Sequence, residues 1–229
     1  MGQKVSPLAI RLGYIKNWRS LWYADKKDFA KNVAEDYWIR KYIAKRFEQA
    51  AISRVEIERV AGQVKIRICS ARPGVIIGRR GADIDKLRTE LAKLTPKETN
   101  IEIQEIKNPA IDAQLVAQSV AFQLEKRVAF RRAMKRAIEQ AMQSGAKGIK
   151  ISASGRLGGA EMSRRETYKE GKLPLQTFRA DVDYGFAEAL TTYGILGVKC
   201  WVYKGDVIED SDRVAEVLEP QKPLPEKGE

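Results

Sequence analysis

From Asp28 to about Ala51, Phe29, Val33, Tyr37, Ile39, Tyr42, Ile43 and Phe47 recur at helical spacing, which predicts a long amphipathic helix with Asp28 as N-cap. In "SRVEIERV" the positions Val55, Ile57 and Arg59 alternate with Arg54, Glu56 and Glu58. After "AG", the segment "QVKIRICS" sets Val64, Ile66 and Ile68 on one face, so the two segments read as a strand pair. A second helix comes in "ADIDKLRTELAKL", where Ile84, Leu87, Leu91 and Leu94 share a face. "NIEIQEI" then alternates Ile101, Ile103 and, imperfectly, Ile106 as a strand. The order is helix, strand, strand, glycine turn, helix, strand.

Pro109 in "KNPAID" breaks that last strand, and Asp112 is placed to cap the next helix, which marks a domain boundary. Residues 112–144 are helical but exceed the usual globular length, so two segments are expected, stopped by Gly145 and Gly148. "GIKISASG", "FRADVDYGF" and "GILGVKCWVYKG" read as strands, the last with Val198, Cys200 and Val202 opposing Trp201 and Tyr203. The fold class is therefore α+β. Residues 1–16 form a basic, loosely ordered arm, 17–108 the first domain, 109–208 a second domain with a two-segment helix on a mainly antiparallel sheet, and 209–229 a disordered acidic tail.

Charge sharpens this outline. The 229 residues hold 42 Lys and Arg against 30 Asp and Glu, a net +12. Residues 209–229 contain seven acids and three bases, which leaves +16 on residues 1–208. A polyanion is the partner this implies. The chain has no histidine, which excludes histidine triads, HExxH zinc sites and histidine general bases. Cys69 and Cys200 each sit in an apolar strand run with no CxxC pair, so they read as buried free thiols of a reducing cytosol. No run is long enough to span a membrane, and "MGQKVS" fits the loose acylation consensus but reads more simply as part of a basic arm. No cofactor or metal motif is present, and a catalytic role is not expected. A lysine- or carboxylate-based nucleic-acid enzyme is the distant alternative.

Three motifs carry candidate chemistry. In "VIIGRRGADIDKL", Gly78 and Gly81 enclose Arg79 and Arg80 at the entry to a helix, where backbone approaches a ligand closely and free N–H groups attract an anion. The spacing fits neither a P-loop nor a dinucleotide fingerprint. In "EKRVAFRRAMKRAIEQAM", Phe130, Met134, Ile138 and Met142 form one stripe. Arg131, Arg132, Lys135 and Arg136 project to the opposite side, a footprint suited to phosphates. "GRLGG" at 155–159, with Arg156, Arg164 and Arg165, is either a second phosphate cradle or a hairpin connection. Lys4 and Arg11 suit an arm lying along phosphate. Trp18, Trp22, Tyr23 and Trp38 read as packing aromatics, with base stacking or partner docking as the other reading.

The Gly78–Gly81 turn and the element order around it resemble the type II KH domain, whose GxxG loop clamps a nucleic-acid backbone. More broadly, "MGQKVSP", "RLG", "ARPGVIIGRRG", "FRRAMKRA", "GAKGIKI", "SGRLGGAEMSR", "FRADVDY" and "TTYGILGVKCW", in order from Met1 to about Asp206, resemble the bacterial small-subunit ribosomal protein S-three family. That resemblance implies a cytoplasmic structural protein that binds rRNA in the head of the small subunit beside proteins S-ten and S-fourteen. It also implies a share in the mRNA entrance with S-four and S-five, where Arg131, Arg132 and Lys135 grip and help unwind incoming mRNA. Arg136 joins them on helical geometry alone. Gly78, Arg79, Arg80, Gly81, Lys4, Arg11, Arg156, Arg164 and Arg165 are the expected rRNA contacts. A free KH-type regulator of mRNA or transcription is the second reading.

Overall fold

The computed structural model describes residues 4–60, 62–94 and 97–207, with the side chains of Arg80 and Leu94 outside that description. The expected acidic tail at 209–229 also lies outside the described residues. Helix α1 spans Lys26–Arg46 with Asp25, not Asp28, at its N-cap; Asp28 falls in the first turn and Lys45 and Arg46 in the last, as the helix dipole favours. Strands β1 (Ser20–Leu21), β2 (Ile52–Val60), β3 (Gln63–Ser70) and β4 (Glu98–Glu105) form a sheet in chain order, antiparallel only between β2 and β3. Short helix α2 (Pro73–Ile77) starts on Pro73, whose missing N–H costs nothing there, and α3 covers Ala82–Leu94. Ile39 and Ile43 of α1, Ile76 of α2, and Leu87 and Leu91 of α3 bury against Val55, Ile57, Val64, Ile66 and Ile68. The N-terminal unit is thus α+β, as the KH resemblance implies, with α2 as the helix that the apolar run "VII" conceals.

The periodicity of α1 predicts its buried face in the second half, where Ile39, Ile43 and the C-cap Phe47 are buried, but not in the first. Phe29, Val33, Tyr37 and Trp38 are exposed, whereas Asn32 and Asp36 are buried. The reason is a polar network. Asp36 accepts from Arg59 at 2.6 Å, Trp22 Nε1 at 2.8 Å and Ser20 Oγ at 3.0 Å, and Arg59 also reaches Glu35 at 2.8 Å. Burial pulls the Arg59 guanidinium down, but Asp36 and Glu35 outweigh it and leave its pKa raised. Trp18 and Tyr23 are exposed as well, so of the four N-terminal aromatics only Trp22 is held inward, by Asp36.

In the second unit, Asp112 caps α4 (Ala113–Glu125) by accepting from the backbone N–H groups of Gln114 and Leu115, each at 3.1 Å. After a connection in which Arg127 takes φ +60°, α5 runs Phe130–Gln143. Strands β5 (Gly148–Gly155), β6 (Arg164–Gly171), β7 (Ala180–Thr191) and β8 (Gly194–Asp206) make a wholly antiparallel sheet in the order β6-β5-β8-β7. Both helices pack on one face of it: Val116, Val120 and Leu124 of α4 and Met134 and Ile138 of α5 bury against Ile149, Ile151, Val198, Cys200 and Val202. Gly185 permits this approach, since a Cβ there would sit 2.2 Å from the Ala113 carbonyl oxygen. Both cysteines are free and buried, and burial pushes the Cys200 thiol up. The units meet where Ser53 Oγ donates to Asp112 at 2.6 Å and Gln118 to the Ile52 carbonyl at 3.2 Å.

Residues 4–16 are not a loose arm. They fold back onto the edge strand β7, where Lys16 pairs with Asp181 at 3.1 Å and Asp183 at 3.5 Å, and Tyr14 meets Phe178 edge-on. Arg11 is fully buried. It donates to the carbonyls of Ala180 at 2.6 Å, Pro7 at 2.8 Å and Thr177 at 2.9 Å, and more weakly to Leu175 at 3.2 Å and Pro174 at 3.3 Å. Its role is therefore to pin the N-terminal segment, and no face of the guanidinium remains for a phosphate.

Candidate nucleic-acid interface

The glycine turn is built by two positive-φ positions, Gly78 at φ +70° before and Gly81 at φ +81° at the end of the 3-10 turn Arg79–Gly81 between α2 and α3. A Cβ at Gly78 would lie 2.0 Å from Asp83 Oδ2, so only glycine fits the backbone to the first turn of α3. Arg79 is exposed; the side chain of Arg80 lies outside the described residues. Asp83 also sets a carboxylate against the loop, which tempers the pull of the helix start and leaves Arg79 as the anion-seeking side chain described there.

On α5 the two faces separate cleanly. Ala133, Met134, Ala137, Ile138 and Ala141 are buried, with Phe130 and Met142 half-buried at the ends of the stripe. Arg131, Arg132, Lys135 and Arg136 all face solvent. Among the described residues none of these four is within ion-pair distance of a carboxylate, although Glu139 lies further along the same helix. The structure adds Arg164 of β6 to this side. The Phe130 ring has the Arg131 guanidinium at 5.6 Å and that of Arg164 at 5.7 Å. Arg164 also leans on Glu166 at 3.5 Å.

The remaining expected contacts disperse. Arg156 is exposed but engaged, since it donates to the carbonyls of Ala160 at 3.0 Å and Tyr193 at 3.3 Å, tying the "LGG" turn to the β7–β8 hairpin. "GRLGG" is accordingly a hairpin connection with Leu157 buried beneath it. Arg165 alternates with Arg164 and lies on the opposite, helix-free face of the sheet, next to Lys150, Lys169 and Lys4. Lys150, Lys169, Lys199, Tyr184 and Trp201 on that face were not singled out by sequence reasoning. Strand alternation in "KIS", "TYK" and "KCW" was the available signal, but the pairing that unites them was not. Among the described residues no cluster of three or more acidic, Cys or His side chains is arranged to hold a metal, and no helix is long and apolar enough to cross a membrane.

Two family models match the chain: the KH domain over residues 38–111, and the ribosomal protein S3 C-terminal domain over residues 120–202. Among curated proteins, the chain is 58% identical over 208 residues to the small ribosomal subunit protein uS3 of Geotalea uraniireducens, covering 91% of this chain and 99% of that one. It is 57% identical over 217 residues to the uS3 of Caldicellulosiruptor saccharolyticus, covering 94% and 98%. With the uS3 of Desulforamulus reducens it shares 54% over 215 residues, covering 94% and 97%.

Proposed function

The chain belongs to the ribosomal protein S3 family, structural constituents of the small ribosomal subunit, and on that premise we propose that it binds rRNA in the head of the subunit and lines the entrance through which mRNA is drawn. The observation that carries this reading is the cation face of α5, whose four cations make no ion pair among the described residues, anchored from behind by Met134 and Ile138 and extended by Arg164 across Phe130. Phosphates passing a rigid row of arginines release counterions, and guanidinium forks add hydrogen bonds that favour a particular backbone path. A strand held by this row is removed from its partner, so an incoming hairpin is opened against fixed charges while the translating ribosome supplies the forward work. The KH turn at Gly78–Gly81, with Arg79 and Arg80, serves rRNA, as do Lys4, Arg164 and Arg165. The exposed Phe29, Val33, Tyr37 and Trp38 offer the KH domain an apolar surface for head proteins, for which S-ten and S-fourteen are the family's candidates. S-four and S-five share the entrance. The place of work is the cytoplasmic ribosome.

Replacing Arg131, Arg132 and Lys135 by Glu is expected to leave subunit assembly intact and to slow translation through structured mRNA, with unstructured messages little affected. Equal rates of hairpin opening by wild-type and substituted subunits in reconstituted translation would overturn the entrance role.

A further inference from the structure

The helix-free face of the second sheet presents residues that the α5 reading leaves unused. Register aligns Lys169 of β6, Lys150 of β5, Trp201 of β8 and Tyr184 of β7 in one row across all four strands. The next row on this face carries Thr167, Ser152, Lys199 and Phe186, and the one beyond it Arg165, Ser154, Gly197 and Glu188. The Trp201 and Tyr184 rings meet at 5.4 Å, Lys150 Nζ stands 5.0 Å from the Trp201 ring, and Phe186 is 41% exposed. The loop before β7 covers the far end of the face, where Leu173 and Leu175 pack on Ala180, Val182 and Tyr203.

Charge identifies what belongs there. Lys4, Lys150, Arg165, Lys169 and Lys199 make no ion pair among the described residues, and the one carboxylate in these rows, Glu188, stands at a corner opposite Gly197. Partial burial, and then the nearby Lys4, Lys169 and Arg165, depress the Lys150 ammonium, so like charges are crowded together without compensation. Two cations beside two half-buried aromatics suit a single strand laid with its phosphates over one half of the row and its bases toward the other, and a sheet face bearing aromatic rings is how single-stranded RNA is read. A duplex would hide the bases from these rings.

We propose that this face, built on the row Lys169, Lys150, Trp201 and Tyr184, is a second RNA-binding surface of the protein, on the opposite side of the sheet from α5 and selective for single-stranded RNA. The inference rests on the RNA-binding reading above, and its test separates the two. Binding of the full-length chain to a fluorescein-labelled unstructured oligoribonucleotide is measured by anisotropy over a range of salt, for wild type, K150Q/K169Q, W201L and R131Q/R132Q/K135Q. The K150Q/K169Q pair is expected to bind roughly tenfold more weakly at moderate salt and to flatten the log–log salt slope by about 1.4, two phosphates' worth. W201L is expected to lower affinity without changing the slope. If the sheet variants bind as wild type while the α5 variant weakens, the second surface is disproved and the RNA-binding reading stands; if neither responds, both fall. For any variant that does not fold, ultraviolet cross-linking of unmodified protein in intact small subunits decides. RNA attached to the peptides bearing Tyr184 or Trp201 supports the surface, and a protein neighbour cross-linked there in its place overturns it.

Discussion

Arg11 shows how little a residue's type says about its task. In the sequence it is one more cation near the N-terminus; in the fold it gathers five carbonyl oxygens, three of them contributed by Ala180, Thr177 and Pro7 at 2.9 Å or less. Arg11→Met should cost about 3 kcal/mol, because those acceptors lose the donor that joins them, and Arg11→Lys should not restore it, since one ammonium cannot span the set. Urea unfolding measures both. Asp183 supports the same corner. Burial pushes its carboxyl up, but Lys16, Lys204 and the N–H groups of Ala113 and Tyr184 outweigh that and hold it below the usual carboxylate range. A depressed pKa in the fold means stability that is complete above about pH 4, the ordinary unfolded value, and lost as pH falls through the lower folded value. Asp183→Asn is therefore expected to be less stable at neutral pH and to show a flatter stability profile below about pH 4. A profile parallel to wild type would show that Asp183 contributes nothing to acid sensitivity.

Among the elements, α5 and α1 make an instructive pair. Every apolar position of α5 inside the stripe packs, and every flanking cation faces water, because "FRRAMKRAIEQAM" offers a single consistent helical phase. Helix α1 has apolar residues around much of its circumference, so periodicity alone cannot choose. The choice falls to Arg59 and Trp22, which make it favourable to bury Asp36 and leave Phe29 and Val33 outside. The KH turn was legible from its two glycines, yet the carboxylate pressed against Gly78 was not. Gly78→Ala is expected to lose about 1–2 kcal/mol of stability, through a positive φ and the clash with Asp83, and to weaken RNA binding by displacing Arg79. Adding Asp83→Ala should recover part of the stability, since it removes the atoms in the way; failure to recover any would place the strain entirely in the backbone.

At the scale of the molecule, residues 4–16 strap the β7 edge before the chain enters the first sheet through β1, so one segment serves both units. Deleting residues 1–16 is expected to speed amide hydrogen exchange in β7 and β8 while β2 and β3 keep their protection, as mass spectrometry of the two sheets would show; equal loss in both would mean the strap stabilises the molecule as a whole. The longer elements and their order, the break at Pro109, the cap at Asp112, the glycine turn and the cation face of α5 were readable along the chain, whereas β1, α2 and β6, which are short or carry mostly polar residues, were not. Each readable feature depends on residues within a turn or a strand pitch of one another, so hydrophobic period and cap chemistry record it. Which cations meet solvent and which hold the fold together was decided by packing. Arg11 and Ala180 are separated by 169 positions, and Lys169 joins Tyr184 through two intervening strands. Contacts at that range are set by sheet register and by the satisfaction of buried polar groups, neither of which leaves a periodic trace in the sequence.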